Sequence, residues 1–415
     1  MKTLFSNRPF MIVMASDLLQ NIGIWIRNMS LLFFVVERTN GSPIAISILT
    51  IIEYLPILIF SIIGGVLADR WIPKRTMILG DILSFISIIF IIIVVESGHW
   101  QAVFLVTAVS AIVSQFSQPS SMKLIKQNVE EKHIPSAIAF SQSLMSLFVI
   151  IGPIIGTSIY QYFGIERVLM SLLIIFAFSA LILSFLPRTE KVKYEKNETA
   201  IGDLKAGIMY VTQSKNLQVL MLIYAILALG VGLVQPLDVF IVIDRLALEM
   251  ENLKWFTALS GVGMLIGAGI AALVSKKIKG HLVIFTGFFF LGIATIIEVW
   301  SMWPLLTGAM RFLTGIFLAF IQTILATLML TSVQESYIGR INGLITPIFT
   351  GSLLIGTSIS GFFMEMTSII TVFMTAGLII ILAAIVSLKL KLKIIHKLRN
   401  SISCDLSRVI MKRRD

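Results

Sequence analysis

A single cysteine, Cys404, excludes an intramolecular disulfide and a cysteine-based metal cluster. Histidine is almost as sparse. His99, His133, His281 and His396 fall near the ends of apolar runs, which leaves no mid-membrane histidine for a proton relay or a metal site. Charged residues make up 13% of the chain against 57% hydrophobic ones. A soluble domain cannot accommodate that balance, because its core is too small to hide so much apolar surface. Also missing are a Ser/His/Asp set, a metal-ligand cluster and a glycine-rich nucleotide loop, so neither catalysis nor ATP-driven transport is expected, and no cofactor or metal is.

What the 415 residues do contain is a series of apolar runs of about 20 residues, each long enough to cross a bilayer. Twelve spans are predicted, near residues 9–36, 45–68, 75–95, 100–118, 135–162, 165–186, 217–240, 254–275, 281–300, 303–331, 340–363 and 368–388. No small-residue cleavage site closes the first run, which is read as a retained span. The expected fold class is an all-α membrane protein of twelve transmembrane helices. The net charge of +11 is not a nucleic-acid signal, because it sits in short loops. Of the 33 Lys and Arg residues, Arg38, Arg167, Arg245 and Lys254 lie on one side and Arg27 and Arg311 lie inside spans. The rest share the other side with the termini, which predicts that both termini are cytoplasmic.

Residues 187–216 form the one long polar segment between spans, with an amphipathic stretch along the inner face. They separate an N-terminal half (1–186) from a C-terminal half (217–388), followed by a basic cytoplasmic tail (389–415). An internal repeat supports the division: Ile-Gly-Thr-Ser-Ile occurs at 155–159 and at 355–359, in the fifth span of each half. Two parallel six-span, pseudo-symmetric halves are a transporter architecture.

Five short motifs carry a family resemblance. The loop after span two reads Gly64-Gly65-Val66-Leu67-Ala68-Asp69-Arg70-Trp71-Ile72-Pro73-Lys74-Arg75. It resembles the signature loop of the major facilitator superfamily, although Ile72 and Pro73 stand where Gly and Arg are usual. Asn40-Gly41-Ser42-Pro43 and Phe116-Ser117-Gln118-Pro119 are similar to the macrolide- and siderophore-exporter branch. Gly152-Pro153-Ile154-Ile155-Gly156 resembles the core of the superfamily's antiporter motif, without its upstream glycines, and Arg311-Phe312-Leu313-Thr314-Gly315 resembles its Arg-bearing fourth-span motif. The resemblance implies the major facilitator fold, with spans one, four, seven and ten around a central cavity. It further implies proton-coupled efflux of small amphiphilic compounds of the drug, macrolide or siderophore class, hence an antiporter of drug-resistance type in a bacterial plasma membrane. An importer, uniporter or lipid flippase of the same fold remains the alternative, and a membrane enzyme or non-transporting receptor is the reading from another class.

The physics of these residues stands beside the resemblance. Gly64 and Gly65 let helix backbones approach closely, Asp69 can dock on a helix N-terminus, and Arg70, Lys74 and Arg75 can meet anionic headgroups. Gly152, Pro153 and Gly156 can thin or kink span five. Ionisable groups at membrane depth cost at least about 2.5–3.5 kcal/mol each on insertion scales, so each needs a reason. Asp17 and Asn21 begin a polar stripe on span one that must face protein or water. Asp17 is the acid of the inner half and the candidate proton carrier. Arg27, Glu53, Asp238 and Arg311 lie in the outer halves, where the expected pairs are Arg27–Glu53 and Asp238–Arg311, helping to close the outer side. Asp81, Glu298 and Glu365 are expected at the interfaces. The implied partners are a small amphiphilic substrate, protons and a bilayer with anionic headgroups, for a monomeric protein without nucleic acid.

Overall fold

The computed structural model describes residues 6–187, 200–274, 280–333 and 338–390; the side chains of residues 61–70 and of some other helix-end positions lie outside that description. The first half contains α1 (Arg8–Arg38), α2 (Pro43–Arg70), α3 (Pro73–Glu96), α4 (Val103–Asn128) and α5 (Ile134–Ser184). A short α6 (Ala200–Thr212) follows. The second half contains α7 (Lys215–Val234), α8 (Leu253–Val274), α9 (Gly280–Trp300), α10 (Pro304–Ser332), α11 (Ile338–Met366) and α12 (Ile369–Ser387). Ten of the helices are long and apolar enough to cross a membrane. The 51-residue α5 turns at Gly164 (φ 69°) into two span-length arms, and α9 holds the shorter apolar stretch Ile284–Trp300. The predicted twelve spans are thus all found, and α6 is a helix within the expected 187–216 linker.

Local signals set the boundaries. Asn7 caps α1 by accepting from the Phe10 N–H at 3.0 Å, with proline following at the first turn. Asn40 and Gly41, at φ 51° and 76°, make the turn into α2, where Ser42 caps the N-terminus and Pro43 opens the first turn. Beyond Val234 the seventh span continues through a 3-10 turn, Gln235–Leu237, and a π-helical segment, Ile241–Arg245. That irregular stretch carries Asp238.

The internal repeat has a structural meaning. Gly156 of α5 packs against the Trp25 carbonyl and Met29 of α1, and Gly356 of α11 packs against the Leu229 carbonyl and Leu233 of α7. Each copy therefore lets the fifth span of a half press onto the first span of that half, backbone to backbone.

Between the halves, α2 packs on α11 and the first arm of α5 on α8. The apolar core is not symmetric about the bilayer. Toward the end away from the termini, one cluster joins both halves: Phe33, Phe34 and Leu49 pack with Leu237, Phe240 and Phe373. Toward the terminal end the clusters are separate, one around Phe10, Met77 and Leu183 in the first half and one around Leu217, Phe288 and Leu325 in the second. Among the described residues, the halves share an apolar cluster at one end and bury separate clusters at the other.

A Cβ added at Gly356 has no room, and overpacking of this kind costs about 1–3 kcal/mol. Gly356→Ala is expected to lower the thermal midpoint of the detergent-solubilised protein accordingly. Gly269→Ala, where an added Cβ meets nothing within 4 Å, should leave it unchanged. Size-exclusion chromatography after heating compares the two.

Candidate functional site

The polar stripe of α1 faces two cavities at different depths. The deeper one toward the terminal end, of about 330 Å³, lies within the first half. Its walls are Asp17, Gln20 and Asn21 of α1, Ser114, Gln115, Ser117, Gln118 and Ser121 of α4, and Ser141 and Met145 of α5. Asp17 is half-buried. Its Oδ2 accepts from the Ser121 hydroxyl at 2.7 Å, while Asn21 donates to the Asp17 backbone carbonyl at 2.8 Å. Three serines of α4, Ser114, Ser117 and Ser121, thus line one wall with Asp17 on the other. Asp17 has one hydroxyl donor and no cation within ion-pair distance among the described residues.

The second cavity, of about 370 Å³, lies toward the closed end and is lined from both halves by residues that include Trp25, Asn28, Glu53, Tyr54, Gln235 and Asp238. Gln235 Nε2 donates to the Tyr54 hydroxyl at 3.0 Å, a hydrogen bond between the halves. Both ionisable groups on this wall are acids. The arginines sit behind them: Arg27 is buried and Arg311 nearly so.

Both expected charge pairs exist, with unequal geometry. Arg311 makes a bidentate contact with Asp238, Nη1 to Oδ2 at 3.0 Å and Nη2 to Oδ1 at 2.8 Å. Its Nε also pairs with Glu298 at 2.5 Å, which makes a triad of one cation and two anions. Arg27 and Glu53 are 3.9 Å apart. Asn28 stands between them, accepting from Arg27 at 3.0 and 2.7 Å and donating to Glu53 at 3.2 Å. Every one of these contacts stays within one half. The charges therefore do not tie the halves together, contrary to the expectation that they close the outer side; the shared apolar core and the Tyr54–Gln235 bond do that.

Two acids expected at the interfaces are instead inside the protein. Asp81 is 1% exposed and Glu298 3%, whereas Glu365 is exposed as expected. Nearness to a span end had suggested an interface, but depth says nothing about which way a side chain points. The missed signal was periodicity: Asp81 shares the buried stripe of α3 with Met77, Ser84, Ile88 and Ile91.

Gly152 and Gly156 form the bed of α1, with the Trp25 ring against Gly152, and Pro153 is buried beside them. The antiporter-like motif thus touches the helix that carries Asp17 and Arg27. In the signature loop, Gly64, Gly65, Asp69 and Arg70 are helical at the end of α2, and the side chains of Asp69 and Arg70 lie outside the described residues. Lys74 donates to the Ser184 and Leu186 carbonyls at 2.8 and 2.5 Å, satisfying the free end of α5, so it is not left to headgroups alone. Arg75 is exposed beside Trp71. Residues 391–415 of the tail lie outside the described residues. Among the described residues no group of three His, Cys, Asp or Glu side chains could hold a metal ion.

Comparison with known proteins agrees with this architecture. The pattern of the Major Facilitator Superfamily matches residues 10–304, and the chain belongs to that superfamily. It is 26% identical over 403 residues to the uncharacterized MFS-type transporter YfiS of Bacillus subtilis, covering 93% of this chain and 94% of that one. It is 25% identical over 369 residues to YkuC of the same organism, another uncharacterized MFS-type transporter (85% of each chain). It is 24% identical over 378 residues to macrolide efflux protein A of Streptococcus pyogenes (87% and 90%). Among solved structures, the nucleoside transporter NupG superposes with a TM-score of 0.77 at 11% identity, over 92% of this chain and 100% of that one, a likeness of fold.

Removing one partner of a buried ion pair costs about 3–5 kcal/mol. Arg311→Leu, which strands two acids, is expected to fall in that range, and Asp238→Asn in the same background to recover only part of it, because Glu298 stays unpaired. The looser Arg27–Glu53 pair should give nearly additive losses for Arg27→Leu and Glu53→Gln. Double-mutant cycles on thermal stability separate the two cases.

Proposed function

We propose that this member of the major facilitator superfamily is a secondary active exporter of small amphiphilic compounds of the drug, macrolide or siderophore class, driven by inward proton flow. The observation that carries the reading is Asp17: a carboxyl with no cation within ion-pair distance among the described residues, on a cavity wall of α1, at the end where each half buries its own apolar cluster. Such a carboxyl takes up a proton while its cavity opens to one side and releases it on the other. If substrate and proton compete for it, exchange becomes obligatory without any further device. The acids on the cavity walls, Asp17, Glu53 and Asp238, favour substrates with a basic or cationic group, and Trp25 and Tyr54 offer the apolar part a surface. Likeness to macrolide efflux protein A supports the export direction.

The remaining motifs take roles around that acid. Residues 1–186 and 217–388 rock as two units, with 187–216 as the linker and 389–415 as a basic tail on the cytoplasmic face. Gly152, Pro153 and Gly156 hold α1 against α5, so that motion of α5 moves Asp17 and Asn21. Asp69 and Arg70, with Gly64, Gly65, Lys74 and Arg75, govern the rocking step at the inner end of α2. Arg27, Glu53, Asp238 and Arg311 shape the outer part of the path. The protein works as a monomer in a bacterial plasma membrane with both termini cytoplasmic, where the 27 Lys and Arg residues on that side meet anionic headgroups.

Asp17→Asn keeps the shape and removes the titration. In inside-out vesicles offered a panel of dyes, macrolides and siderophores, it is expected to abolish proton-driven accumulation while preserving downhill exchange of the accepted compound. Gradient-driven transport that survives with its pH dependence intact would move the coupling site elsewhere, with Asp238 next.

A further inference from the structure

Behind the Asp17 cavity lies a second carboxyl that the proposed cycle leaves unused. Asp81 of α3 is 1% exposed. Its Oδ1 accepts from Gln20 Nε2 at 2.9 Å, and its Oδ2 is buried without a hydrogen-bond partner. Ser179, on the second arm of α5, also faces this carboxyl, but its hydroxyl is shared with Ser16 at 2.8 Å. Two more buried hydroxyls nearby lack partners, Ser84 one turn further along α3 and Ser117 on α4. Ser117 comes within 3.1 Å of where a Cβ on Gly80 would sit, so it lies beside Asp81 along the chain, and it also lines the Asp17 cavity. Gln20 does the same from α1, touching the cavity with one part of its side chain and Asp81 with the amide.

We infer that Asp81 is a second proton-binding carboxyl, coupled to Asp17 and reached from its cavity through Gln20 and Ser117. The inference rests on Asp17 being the proton-exchanging acid of the cavity. Ionised and buried, Asp81 would leave Oδ2 with no donor beyond the Ser179 hydroxyl that Ser16 shares, and no cation stands within ion-pair distance of it among the described residues. A proton on Oδ2 removes that cost and turns the carboxyl into a donor, for which the facing Ser179 hydroxyl is an acceptor. The charged and titratable groups around it are few. From α1, Asp17 is the one charged group that acts on it, beside the Gln20 amide; α5 presents Ser179, and Ser117 of α4 packs on the neighbouring Gly80. Two carboxyls that sense each other, one on a cavity wall and one behind it, titrate as a pair. The inner acid exchanges its proton only when the outer one and its serines give access.

Infrared difference spectra of the full chain in liposomes, recorded as the pH is stepped from alkaline to acid, read protonated carboxyls directly and need no substrate. Two titrating carboxyl bands are expected from this site. Asp17→Asn should remove one and Asp81→Asn the other, and removing either should shift the survivor by about one pH unit. Titrating bands left unchanged by Asp81→Asn would overturn the inference. If Asp17→Asn changes nothing while Asp81→Asn removes a band, the reading of Asp17 fails and Asp81 stands as the proton site alone. Gln20→Met covers the case in which Asp81→Asn does not fold: it keeps the side-chain length and removes the amide donor, so the Asp81 band should move along the pH axis, and a band that stays in place overturns the inference.

Discussion

The two halves hold together at one end through apolar contact, and the rest of the arrangement depends on that choice. A seam of Phe, Leu and Val can open without stranding charge, because apolar surface parted in the middle of a bilayer meets only a change of neighbours or of solvent. A seam of ion pairs could not, since each separated partner would remain unpaired in low dielectric. The arginines obey this constraint. Arg27 is neutralised through Asn28 and Glu53 inside the first half, and Arg311 through Asp238 and Glu298 inside the second. Each buried arginine therefore keeps its partners inside its own half, and Asp17 is left on its cavity wall without a cation within ion-pair distance among the described residues.

The close backbone contacts within each half serve the same end. Gly156 of α5, packed on α1, and Gly356 of α11, packed on α7, are repeat copies that weld a fifth span to a first span. The weld transmits motion to the helix carrying Asp17 in one half and to the irregular stretch carrying Asp238 in the other. Rigid pairs and a separable seam are what rocking of two bodies requires.

Much of the architecture was legible in the sequence because a bilayer leaves the chain few options. The spans and their number, including the break between residues 162 and 165, followed from apolar run length alone. The partners Arg311–Asp238 and Arg27–Glu53 followed from depth, since buried charges must find one another. Orientation was not legible from depth. Asp81 and Glu298 sit near span ends yet point inward, so both were assigned to interfaces. That the ion pairs stay within halves was equally hidden, because pairing depth is the same for an intra-half and an inter-half partner. The Trp25 contact behind the Gly152–Gly156 motif required the packing of α1 on α5, which no local pattern records.

The central proposal is that the two halves, each keeping its buried ion pairs to itself, exchange a closed end under control of the α1 acid. With Cys404 replaced by serine, spin labels at Gln101 and Leu305 report the closed end of the fourth span of each half, and labels at Lys126 and Ala326 report the other end of the same spans. Pulsed electron–electron resonance then gives both distances as a function of pH and in Asp17→Asn. The account predicts reciprocal change: Asp17→Asn and acid pH hold the Gln101–Leu305 distance short and the Lys126–Ala326 distance long, while alkaline pH populates the reverse in the unaltered chain. Distances that move together, or that ignore both pH and Asp17, would contradict it.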